Sequence, residues 1–115
     1  MRAVDTNVLV RLLTRDNPKQ VATAEAFVAQ GAWISCLVLS ETTWVLSTVY
    51  RRGPSQIATV ISMLLHHDKF VLEHADAVTA ALGHFQRHPR SNFSDCLSVE
   101  LARHAGHLPL GTFDR

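Results

Sequence analysis

The sequence is short of most features that mark a special environment. It has two cysteines, Cys36 and Cys96, and neither belongs to a C-x-x-C pair. That excludes a disulfide scaffold and gives no sign of a thiolate zinc site; it points to structural cysteines in a reduced, cytoplasmic setting. No apolar run approaches the ~20 residues of a membrane span. The N-terminus has no apolar core of a secretory signal, so no membrane association is expected. Charge of one sign is lacking as well. Eleven Lys and Arg stand against ten Asp and Glu, a net charge of +1. That excludes a strong overall field drawing the chain to nucleic acid or to an anionic membrane, so any such contact must come from local patches. There is no internal repeat, low-complexity segment or linker. The 115 residues, 47% of them hydrophobic, make one domain with enough apolar side chain for a core.

The pattern of apolar residues and breakers gives alternating strands and helices. Residues 1–5 read as a strand and 6–15 as a helix. Asn17-Pro18-Lys19-Gln20 starts a second helix, with Asn17 as cap and Pro18 in the first turn, running to about Gln30. Ala32–Cys36 is a short strand, and 37–50 a helix whose end is expected at Gly53 in the position after the cap. Pro54 opens a helix to about His66. Residues 69–72 form a third strand, Asp76 to about His88 a helix, Asn92 to His104 another, and Leu108 to Phe113 a last strand. Strands separated by helical crossovers argue for a parallel sheet covered on both faces.

Four carboxylates occupy unusual positions. Asp5 closes the first strand, where ligands collect in open α/β sheets; it is equally a good helix cap. Glu41 has Leu37, Val38, Trp44 and Val45 at helical neighbour positions. It is therefore expected inside an apolar stripe, where a charge needs a metal or an ion-pair partner. Asp95 opens a helix in Asn92-Phe93-Ser94-Asp95, a place that acids favour anyway. Asp114 follows the last strand, as Asp5 follows the first, though an exposed turn would explain it too. If parallel, strands one and four bring Asp5 and Asp114 side by side. A bare acidic cluster is repulsive, whereas a hard divalent cation takes oxygen ligands readily.

The stretches Val4-Asp5-Thr6-Asn7-Val8-Leu9, Leu39-Ser40-Glu41-Thr42-Thr43-Trp44-Val45-Leu46, Phe93-Ser94-Asp95-Cys96-Leu97 and Gly111-Thr112-Phe113-Asp114 resemble the four acidic motifs of PIN-domain ribonucleases. The nearest branch by resemblance is the toxin half of VapBC-type toxin–antitoxin pairs. Each motif alone is weak; four in order are specific. The resemblance implies an α/β three-layer sandwich with a parallel sheet in the order 3-2-1-4-5. The sequence ends one residue after Asp114, before a fifth strand, which fits either a shortened member of the family or a piece of a longer chain. Also implied is a Mg²⁺ or Mn²⁺ site of Asp5, Glu41, Asp95 and Asp114, with Thr6, Asn7 and Thr112 as supporting or substrate-side polar groups. The implied activity is RNA hydrolysis by a growth-inhibiting toxin, in a homodimer, neutralised by a VapB-type antitoxin whose tail occupies the acidic cleft.

Other readings are weaker. A domain of this fold that binds RNA or protein without cutting would be expected to have lost acids, and all four are present. A phosphoacceptor receiver domain needs an Asp after the third strand and a late lysine; Glu73 stands there, and the lysines are Lys19 and Lys69. Seven histidines lack the spacing of a zinc motif. Arg51-Arg52 and Arg87-His88-Pro89-Arg90 suit helix ends and are candidates for RNA phosphate contact.

Overall fold

The computed structural model describes residues 1–111. Three strands and six helices alternate: β1 (Arg2–Ala3), α1 (Thr6–Thr14), α2 (Pro18–Val28), β2 (Ala32–Ile34), α3 (Cys36–Thr48), α4 (Pro54–His66), β3 (Phe70–Leu72), α5 (Ala75–Arg87) and α6 (Phe93–His104). The sheet is parallel, ordered β1-β2-β3, with Ala3 opposite Trp33 and Trp33 opposite Val71. This is the 3-2-1 half of the expected order. The expected fourth strand is not found over its described part, Leu108–Gly111. Its remainder, with Thr112 and Asp114, lies outside the described residues.

Central β2 supplies the fully buried Ala32 and Ile34, and the core grows from them through Leu9, Leu39, Leu46, Ile61, Leu64, Val78 and Leu97. Because all three strands run the same way, their carboxyl ends share one edge of the sheet. The chain leaves that edge as Val4-Asp5, Ser35 and Glu73-His74, each leading directly into a helix.

The helix starts are the ones their cap residues select. Asp5, Asn17, Ser35 and Asn92 each accept a backbone N–H of the first turn, satisfying donors that have no partner within the helix. The end of α3 departs from expectation. Gly53 is not its terminator but the N-cap of α4, with φ −79°. The left-handed position falls on Arg51, φ 53°, and the Arg52 N–H reaches back to the Leu46 carbonyl at 2.9 Å. That bond spans six residues, one more than the Schellman bond, and closes the end of the helix over a non-glycine residue in the left-handed region.

Glu73 is a structural residue that the motifs did not suggest. It extends the ladder beyond β3, its N–H donating to the Ile34 carbonyl at 2.8 Å. Its Oε1 accepts the Cys36 N–H at 2.9 Å, and its carbonyl accepts the Cys36 thiol. One residue thus ties β3 to the first turn of α3. Glu73→Ala removes a charged acceptor from a helix start and is expected to destabilise the protein by about 1–2 kcal/mol. Thermal melting in EDTA checks this; an unchanged midpoint would mean that Ser35 alone caps α3.

Candidate metal centre

Three of the four acidic positions lie within the described residues, each on or capping a different helix. Asp5 is the N-cap of α1, and its Oδ1 accepts the Val8 N–H at 3.0 Å. The cap reading of Asp5 is therefore correct, but it occupies only one oxygen. A carboxylate offers about four lone-pair sites. Asp95 stands in the first turn of α6 and is exposed. Glu41 lies in the middle of α3. Helix α3 packs against both α1 and α6, so the three acids belong to three neighbouring elements.

Glu41 requires a correction. It is exposed, and the residues expected to bury it are largely outside the core: Leu37 is 70% and Trp44 59% exposed. The buried face of α3 is Cys36, Leu39, Thr42, Thr43 and Leu46. Two rows with helical spacing compete along this helix, and the one containing two threonines is the one that faces inward. An exposed carboxylate needs no ion-pair partner to offset burial, so Glu41 remains free to bind a ligand from solvent.

Among the described residues no three His, Cys, Asp or Glu side chains come close enough together to hold an ion. Asp5, Glu41 and Asp95 are thus neighbours by element but not gathered into a closed cluster, and Asp114 and Thr112 lie outside the described residues. The donor set still fits a hard divalent cation. It is all oxygen, and none of the three carboxylates takes part in a described ion pair, unlike Asp16, Glu25, Asp68 and Glu100. Thr6 opens α1, half-buried. Asn7 is exposed, and with Val8, Arg11 and Gln20 it lines a groove of about 460 Å³ between α1 and α2.

The cysteines stay outside the chemistry. Burial pushes the Cys36 thiol above its ordinary value, with the Glu73 charge adding to it. Cys96 is raised by burial first, then by Asp95 and Glu100. Both remain thiols at neutral pH, so neither is a thiolate nucleophile or a ready metal ligand. His84 and His88 stack with ring centroids 4.6 Å apart on the exposed end of α5, in keeping with their expected surface role.

A family model described as the PIN domain matches residues 2–115. The chain belongs to the PIN domain family. PIN domains are generally a nuclease fold, their members usually metal-dependent and typically RNA-binding. Searches of curated proteins and of solved structures give no match. The parallel sheet flanked by helices is the architecture of the PIN domain. No helix among the described residues is long and apolar enough to cross a membrane.

Proposed function

We propose that this PIN domain is a Mg²⁺-dependent endoribonuclease of the VapC toxin type, with Mn²⁺ able to substitute. Asp5, Glu41, Asp95 and Asp114 would hold the metal. The observation that carries this reading is the set of three exposed carboxylates without cationic partners among the described residues, on adjoining elements of a fold whose members are usually metal-dependent nucleases. A bound divalent ion supplies an activated water and neutralises phosphate charge. The chain's own part is positional. Asp5 is fixed by its cap bond to Val8, and Asp95 stands exposed in the first turn of α6. Thr6, Asn7 and Thr112 supply neutral polar groups on the substrate side. A cytoplasmic homodimer held in check by a VapB-type antitoxin completes the proposal.

Purified protein should cut structured RNA with Mg²⁺ or Mn²⁺ and stop in EDTA. Glu41→Gln keeps the shape of an exposed side chain, so α3 should be unaffected while Mn²⁺ affinity, read by calorimetry, falls about tenfold or more, as loss of a charged ligand implies. Cleavage in chelator, or unchanged affinity in Glu41→Gln, would remove the metal reading. A second reading draws on the missing three-acid cluster among the described residues: a PIN-fold domain that binds RNA or protein silently. It requires binding with no cleavage under any divalent ion.

A further inference from the structure

Away from the acids, the most distinctive surface is a groove of about 320 Å³ between α3, the start of α4 and the α5–α6 connection, lined by Thr43, Trp44, Thr48, Arg52, Arg90 and Asn92, among others. Trp44 is 59% exposed, although a tryptophan on a helix with an apolar face would ordinarily be turned inward. Arg11, Arg15 and Arg103 make ion pairs with Asp16, Glu25 and Glu100. Arg52 and Arg90 make none among the described residues. The groove therefore joins an open aromatic face to two guanidinium groups that have no ion pair among the described residues.

Its position matters as much as its content. Glu41 precedes Trp44 by three residues on α3, and Asp95 follows Asn92 by three residues into α6. Three residues of helix rise about 4.5 Å and return to the same face. The groove thus begins about one turn from two of the acids, one on each of two walls.

We propose that this groove is the binding track for an unpaired stretch of RNA, with one base stacked on Trp44 and the flanking phosphates held by Arg52 and Arg90. The proposal rests on the nuclease reading for what happens at the acids, but not for binding itself. Stacking on an aromatic face and guanidinium contact to the backbone are how single strands are held without regard to sequence. A base inside a duplex offers no free face, so the substrate is single-stranded at this point. With a net charge of +1 there is little long-range attraction. The grip is local, and its salt dependence should reflect few phosphates.

The test is anisotropy of a short fluorescein-labelled single-stranded RNA with the full chain in EDTA, where the metal reaction is silent. Trp44→Ala should weaken binding about tenfold and Trp44→Phe by about threefold or less, since stacking is the interaction removed. Removing both Arg52 and Arg90 as alanines should reduce the slope of log affinity against log salt by about 1.4, the value for two phosphates of a single strand. The same RNA annealed to its complement should bind about tenfold more weakly for want of an open base face. Trp44 is exposed, so its variants should melt like the wild type, which the same samples can report. Equal binding by Trp44→Ala, an unchanged salt slope, or equal affinity for duplex would each overturn the proposal. So would a dimer, seen by sedimentation without RNA, that Trp44→Ala dissolves; the face would then belong to a second copy. Binding that obeys these rules in a protein that never cleaves would sink the nuclease reading and leave the groove intact. Metal-dependent cleavage untouched by the groove variants would do the reverse.

Discussion

Asp5→Asn is expected to lose metal-dependent RNA cleavage by about 100-fold or more, since removing about 3 kcal/mol of transition-state stabilisation has that effect. The fold should be unharmed. Asp5 does two things at once: its Oδ1 caps α1 through the Val8 N–H, and its remaining lone pairs face solvent. Asparagine is as good a cap as aspartate, so the substitution removes the ligand and keeps the cap. Asp5→Ala removes both. It should lose the same activity and also destabilise the protein by about 1 kcal/mol, lowering the melting temperature by about 4 °C for a domain of this size. Activity assays and melts on the two variants separate the roles. Full cleavage by Asp5→Asn would make Asp5 a cap and nothing more.

The second large effect concerns which face of α3 is the core. Leu46 is 2% exposed and Trp44 59%, two residues apart on one helix. Leu46→Ala should destabilise by about 3 kcal/mol, from lost burial and the cavity left behind. That is a sizeable part of the 5–15 kcal/mol typical of a whole domain, and about 10 °C in melting temperature. Trp44→Ala should stay within about 0.5 kcal/mol of wild type, as surface substitutions do. The order would be reversed if the Leu37-Glu41-Trp44 row faced inward. Chemical denaturation of the two variants decides it.

That comparison also shows where sequence reasoning reached and where it stopped. Capping is local chemistry, and Asp5, Asn17 and Asn92 could be named from their neighbours alone. The strand–helix order was legible for the same reason: strands two and three are short apolar runs bounded by breakers. Glu41 was misplaced because α3 is apolar on more than one side. Periodicity cannot choose between two rows when threonines take the inward positions, Thr42 at the cost of a buried hydroxyl that has no partner among the described residues. Gly53 was misread because either Arg51 or Gly53 could end α3, and the chain places a non-glycine residue in the left-handed region. Glu73 carries a signal of its own in the sequence, since it is a carboxylate at the end of β3 as Asp5 is at the end of β1. Trp44, Arg52 and Arg90 come from three separate stretches, and only the folded chain lines one groove with them. Of the expected site, Asp5, Glu41 and Asp95 fall on neighbouring elements, while Asp114 lies outside the described residues.

The central claim is that these carboxylates share one divalent ion, and the melting temperature with and without Mn²⁺ tests it most directly. A ligand that binds only the folded chain stabilises it by about 2.7 kcal/mol at one hundred times its dissociation constant. For a domain of this size that is about 10 °C. Wild type should show such a rise, reversed by EDTA. In Asp5→Asn and Asp95→Asn the rise should shrink to a small fraction. Asp95→Asn carries a separate loss of about 0.5 kcal/mol in metal-free stability, because it removes a first-turn acid from α6. It is the metal-induced difference, not the starting midpoint, that counts. An equal rise in wild type and both variants, or none in any, would mean that Asp5 and Asp95 do not hold a common metal.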